Sequence, residues 1–158
     1  MATHYIAPDM TPVTPYLYIE DAARAIDFYT KVMGAQERMR MPGPDGTVMH
    51  AELMINGGLV MMGEANPGMD MKSPKALGGA SGGLFVYVPD VDATVKAARA
   101  AGAKPVGEIE NMFWGDRTGR IVDPWGHHWT LATHVEDVAP GEMERRIKDW
   151  TAKSAGES

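Results

Sequence analysis

TPYLYIED at 14–21 recurs, in altered form, as GLFVYVPD at 83–90. Sliding the sequence by 69 places sets Ile19 on Val88, Asp21 on Asp90 and Ile26 on Val95. The same shift sets Gly57 on Gly126 and the run Leu59–Met62 on His128–Leu131. A single spacing that serves both ends of each half argues for two modules of one architecture, since similarity at a fixed period marks repeated structural units.

Each copy opens on an alternating stretch. Leu17 and Ile19 take one face and Tyr16 and Tyr18 the other; Leu84, Val86 and Val88 oppose Phe85 and Tyr87. Period two with aromatic and β-branched residues predicts a strand. Asp21 then precedes AARAIDFYTKVM, where Ala22, Ala25, Ile26, Tyr29, Val32 and Met33 form a helical stripe that Gly34 ends. A carboxylate ahead of such a run can accept from the free N–H groups of the first turn. Asp90 or Asp92 does the same for VDATVKAARAA, with Gly102 closing that helix. Three strand-like stretches follow in each half, at about 36–41, 47–55 and 58–63, then 104–109, 118–122 and 127–134. PGPDG, NGG and DPWG supply turns between them.

The expected fold class is α+β, tandem βαβββ modules forming curved mixed sheets. The expected organisation is an N-terminal arm at 1–10, a first module at 11–63, a mobile Gly-, Pro-, Met- and Ser-rich linker at 64–82, a second module at 83–135 and a helical tail at 136–158. Met143, Ile147 and Trp150 give that tail a one-sided apolar face.

Composition narrows the function classes. A chain of 158 residues, 44% apolar, can bury a core, and no run of about 18 apolar residues predicts a membrane span. MATHYIAPDM lacks both a basic region and an apolar stretch, so no secretory signal is expected and a cytoplasmic location is the default. Without cysteine there is no disulfide framework, thiolate nucleophile or thiolate metal site. The formal charge is −6 and Arg145–Arg146 is the sole basic cluster, which argues against nucleic acid as a partner. Thirteen methionines, several between Met39 and Met71, are either core filler or an adaptable lining for apolar ligands.

The tandem βαβββ pattern resembles the vicinal-oxygen-chelate (VOC) superfamily, which includes the glyoxalase/bleomycin-resistance/dioxygenase proteins. The resemblance rests on the helix ending Phe28-Tyr29-Thr30-Lys31-Val32-Met33-Gly34, on WGDRTG at 114–119 and on DPWGHHWTLATH at 123–134, the last two pointing to the PhnB-like branch. It covers about residues 11–135. Catalytic members of that superfamily hold a divalent metal at four positions on the first and last strands of each module. The resemblance carries those positions to Thr14, Met61, Gly83 and Thr130, none of them a histidine or carboxylate. It therefore implies no metal at the usual site and no cofactor. It also implies a small-molecule ligand and a homodimer that completes its cavities with a second copy.

Other side chains remain as candidates. His50 and Glu52 form H-x-E on one strand face, as a relocated metal or acid–base pair or as a structural hydrogen bond. His128 shares a face with Thr130 and is either an anion or proton partner or a polar wall residue. Trp114, Asp116, Arg117 and Arg120 precede the closing hairpin, where a Trp beside a guanidinium, Arg117 above all, suggests a clamp for a planar or anionic ligand, or else a packed loop with an internal Asp–Arg bridge. Tyr16, Tyr18, Phe85 and Tyr87, with Met61, would line an aromatic cavity, or fill a core or dimer contact. Two functions follow: a metal-independent small-molecule-binding protein, or a metal-dependent lyase, isomerase or dioxygenase at His50, Glu52 and His128.

Overall fold

A computed structural model describes residues 4–156; the first three residues of the arm and the last two of the tail lie outside the described residues. The first module runs β1 (Tyr16–Ile19), α1 (Ala22–Met33), β2 (Gln36–Pro42), β3 (Val48–Ile55) and β4 (Gly58–Glu64). After a 3-10 turn at Pro67–Met69 and a short helix α2 (Pro74–Leu77), the second runs β5 (Gly83–Tyr87), α3 (Val91–Ala100), β6 (Lys104–Asn111), β7 (Asp116–Val122) and β8 (His128–His134). Helix α4 (Pro140–Gly156) closes the chain. The sheets are four-stranded and mixed, in the orders β1-β4-β3-β2 and β5-β8-β7-β6. In each, the opening strand runs parallel to the last one.

The repeat seen in sequence is a repeat in register. Tyr16 faces Met61 across β1 and β4, and Phe85 faces Thr130 across β5 and β8. Leu17 and Ile19 are buried against α1, whose Ala25, Ile26 and Tyr29 are buried with them. The Asp21 side chain accepts from Arg24 N, and Gly34 ends the helix in the left-handed region at φ 68°, where glycine pays no Cβ penalty. In the second module Asp90, rather than Asp92, is the cap, accepting from Ala93 N at 2.9 Å.

The helices α1 and α3 meet each other, and each also covers its own sheet, so one core serves both modules. Asp123 ties them together. It is buried and accepts from Tyr29 Oη of α1 at 2.6 Å, Trp129 Nε1 at 2.9 Å and the backbone N–H groups of Trp125 and His127. Because the helix-covered faces share this core, the tyrosine-bearing faces of both sheets turn away from it.

β7 begins at Asp116, two residues before the strand expected at 118–122. Its strand period was hidden because the inward residue is Gly119, where a Cβ would lie 2.9 Å from Val95 Cγ2 of α3. The close approach of α3 requires glycine where an apolar residue would have signalled the pattern. The connection at 64–82 carries local structure of its own, a 3-10 turn and the helix α2. Ser73 is buried, its hydroxyl donates to Glu20 Oε1 at 2.5 Å, and it caps α2.

Among the described residues, no helix is long and apolar enough to cross a membrane. The tail helix is held by Arg146, which pairs with Glu136 at 2.6 Å and donates to Phe113 O at 3.1 Å. Trp150 lies against Phe113 with ring centroids 5.7 Å apart, yet Trp150 and Ile147 stay about half exposed.

Candidate functional site

Strand alternation places Tyr16 and Tyr18 of β1, Met61 of β4, and His50 and Glu52 of β3 on the open face of the first sheet, with Glu52 opposite Met61. The Tyr16 hydroxyl lies 2.9 Å from His50 Nδ1. His50 Nε2 stands 3.6 Å from Glu52 Oε1, and Glu52 Oε2 meets Arg38 Nε at 3.2 Å. Arg38 reaches inward because the β2–β3 register shifts between Glu37 and Met39. It also donates to the arm through Asp9 O at 2.5 Å. Gly63 makes room for this row: a Cβ there would fall 2.5 Å from Met49 O and 3.0 Å from the Tyr16 hydroxyl. Burial, then the neighbouring Tyr18, raises the Tyr16 phenol above its ordinary value, so it stays protonated at neutral pH.

The open face of the second sheet carries Phe85 and Tyr87 of β5, Thr130 of β8, and Thr118 and Arg120 of β7; Phe85 faces Thr130, which faces Arg120. A cavity of about 440 Å³ opens here, walled by Phe85, Trp114, Thr118, Arg120 and Thr130, with Glu108 and Glu110 at its rim. Those last two come from a bulge in β6, where the register slips between Val106 and Glu110 and Gly107 takes φ 73°.

Behind the wall sits Asp116, 2% exposed, which accepts from Tyr87 Oη and Trp114 Nε1 at 2.9 Å each and shares a 2.8 Å bond with His134 Nδ1. Burial alone would raise its carboxyl, but the bonds from His134, Tyr87 and Trp114 outweigh that and hold it below the ordinary value. His134 is raised by its bonds to Asp116 and Asp137. A raised imidazole stabilises the fold below its unfolded value and loses that effect as pH rises through the folded value; a lowered carboxyl stabilises above its unfolded value and loses the effect as pH falls. The pair should therefore contribute most between about pH 4 and about pH 6.5. Thermal melts of His134→Gln should fall furthest below the parent in that window, and the gap should narrow as pH rises through the raised imidazole value. A pH-independent gap would contradict this assignment.

A larger groove of about 510 Å³ runs between Thr11 and Val13 ahead of β1, the β3–β4 turn and β5. Its side-chain polar group at the turn, Asn56, already donates to Tyr87 O at 2.7 Å. The smaller cavity has the chemical variety a ligand site needs: two aromatic rings, hydroxyls and a guanidinium.

The candidates read from sequence do not all converge. Tyr16, Tyr18, Met61, His50 and Glu52 lie together on the first sheet, and Phe85, Trp114 and Thr130 on the second. His128 is exposed and lines a separate hollow with Gly83 and Thr130. Arg117 does not join Trp114: it points to the helix side, bound to Asp92 of α3 at 2.6 and 2.8 Å and to Asn111 at 3.1 Å. Arg120, three residues on and therefore of opposite parity, is the guanidinium on the cavity wall. Counting the strand from Asp116 separates the two arginines by parity and puts Arg120, not Arg117, on the wall. Among the described residues, no three His, Asp or Glu side chains gather as a metal-ligand set.

The comparisons agree with this architecture. A sequence profile described as the Glyoxalase/Bleomycin resistance protein/Dioxygenase superfamily matches residues 4–131, and the chain belongs to that superfamily. It is 44% identical over 135 residues to Uncharacterized protein Rv0887c of Mycobacterium tuberculosis, covering 84% of this chain and 79% of that protein. Among solved structures it resembles TioX from Micromonospora sp. ML1, with TM-score 0.61, 29% identity and coverage of 82% of this chain and 100% of the other. A PhnB protein from Bacillus cereus shares the fold, with TM-score 0.60 at 19% identity over 78% of this chain and 99% of the other.

Proposed function

We propose that the protein binds a small, partly aromatic molecule on its open sheet faces without the metal its superfamily commonly uses, and that it does so as a homodimer. The observation that carries this is the chemistry at the four inherited positions. Divalent metals in such sites take imidazole nitrogen or carboxylate oxygen. Thr14 offers a hydroxyl already hydrogen-bonded to Thr11 at 2.7 Å, Met61 a thioether, Gly83 no side chain and Thr130 a hydroxyl. That donor set does not fit a divalent ion. A metal at His50 and Glu52 would need a third ligand, and His128 stands on the other sheet.

What remains is aromatic and sulfur-rich. Phe85, Tyr87 and Tyr16 are 52%, 53% and 38% exposed in the single chain, and the exposed Met39 and Met41 of β2 pair with Glu52 and His50 on the first sheet. Large apolar groups left this open mark a binding or assembly surface. A thermal-shift screen of small aromatic molecules tests the reading, since a ligand of the folded state raises Tm by mass action. Hits should raise Tm equally with and without EDTA and should lose effect in Phe85→Ala. Shifts that vanish in EDTA would overturn the metal-free assignment.

The dimer is supported by the same open faces and by the unpaired edge strands, which invite pairing with another chain. Such an interface should bury about 1,200–2,000 Å² or more. Sedimentation should find a dimer at micromolar concentration, and a monomer there would refute it. Trp150→Ala should weaken association more than it lowers the stability of each chain. An unchanged dimer in that variant would remove the tail from the interface.

A further inference from the structure

The hydroxyls on the two open faces are polarised, and their polarity says what a ligand must bring. A phenol has one proton to give. Tyr87 gives its proton to Asp116, a buried carboxylate with lone pairs alone to offer. The same carboxylate takes the indole proton of Trp114 and a bond from His134. On the first sheet the commitment is made through an imidazole. Glu52, ion-paired with Arg38, stands 3.6 Å from His50 Nε2, beyond a direct hydrogen bond but near enough for its negative charge to favour the tautomer with its proton on Nε2. Nδ1 is then a lone pair, and the Tyr16 hydroxyl 2.9 Å away must donate to it. Two unrelated backing groups thus produce one outcome: each face presents a phenolic oxygen whose proton is directed into the protein.

We propose that Tyr16 and Tyr87 act as acceptors and select ligands carrying O–H or N–H donors, phenols or amides, on a flat apolar body. Because this rests on the open faces being where the ligand sits, it names the ligand chemistry of that same surface. Thr118 and Thr130 keep rotatable protons and do not discriminate. Arg120 is the fixed donor on the second wall, with Glu108 and Glu110 at the rim beside it.

The test pairs 1-naphthol with 1-methoxynaphthalene, which differ by replacing the donor proton with a methyl group. A purely apolar surface would favour the ether. Directed acceptors should instead make 1-naphthol bind about five- to tenfold more tightly, the worth of one net hydrogen bond. NMR titrations of the intact protein at neutral pH should show that preference, with perturbations at Tyr16 or Tyr87. The Tyr16→Phe/Tyr87→Phe variant keeps both rings and leaves Asp116 its bonds to Trp114 and His134, and it should lose the preference. Tyr5→Phe, on the exposed arm and off both open faces, should retain it. Long-range proton–nitrogen correlations should find Nδ1 of His50 unprotonated in the free protein. Equal affinity for the two probes, an undiminished preference in the double variant, or a proton on Nδ1 would overturn the inference while leaving the open faces as the site. If neither naphthalene binds there, the proposed site falls and the inference with it.

Discussion

Replacing Asp123 with Ala should cost about 3–5 kcal/mol of stability, among the largest effects of any single substitution in this chain. The carboxylate is 4% exposed and accepts from the Tyr29 hydroxyl, the Trp129 indole and two backbone N–H groups. Each buried donor left without a partner costs roughly 1–3 kcal/mol, and entry of water into the gap recovers part of the sum. The loss also reaches beyond one module, since Tyr29 belongs to α1 and the other donors to the β7–β8 turn and β8. Tyr29→Phe removes one donor and leaves Asp123 three, so it should cost nearer 1 kcal/mol. Urea unfolding followed by tryptophan fluorescence checks both. A loss under about 1 kcal/mol for Asp123→Ala would mean that the modules are not joined through this carboxylate.

Gly115→Ala should follow, at about 2–4 kcal/mol, and should disturb the cavity as well. Gly115 takes φ 101°, which side chains resist, and an added Cβ would fall 2.0 Å from Glu136 O and 3.2 Å from Val138 Cγ2. The obstacle is backbone, so it cannot swing aside. Gly115 O also accepts from Val135 N and Glu136 N, holding the chain as it leaves β8. Relief of the clash must move either that exit or the segment between Trp114 and Asp116. A shift of that segment would pull Trp114 from its bond to Asp116. The variant should therefore lose ligand-induced stabilisation as well as Tm. Unaltered binding at reduced Tm would place the ligand away from the Trp114 wall.

The fold was legible because both signals that encode it were periodic. The spacing between TPYLYIED and GLFVYVPD gave the repeat, and alternation gave the faces; the pairs Tyr16–Met61 and Phe85–Thr130 confirm the same spacing in register. The site was legible only in part. Residues on the opening strands were assigned to the correct face because their neighbours alternate between aliphatic and aromatic. On β7 that contrast fails: Asp116, Thr118 and Arg120 make a polar wall, and the residue facing α3 between them is Gly119. With no apolar beat, sequence alone does not separate Arg117 from Arg120, and it is Arg120 that shares a cavity with Trp114. The bulge of β6 that admits Glu108 and Glu110 to the cavity had no sequence mark beyond Gly107. Contacts between distant residues, such as Tyr29 with Asp123 or Tyr87 with Asp116, depend on packing of whole elements, which neither period nor spacing encodes.

Metal content of the natively purified protein tests the central claim most directly. Plasma mass spectrometry on desalted protein, never exposed to chelator, should find well under one transition-metal ion per chain, because Thr14, Met61, Gly83 and Thr130 offer no imidazole or carboxylate to hold one. About one zinc, manganese, nickel or iron per chain, retained through desalting and lost on substitution of His50 or Glu52, would contradict the account.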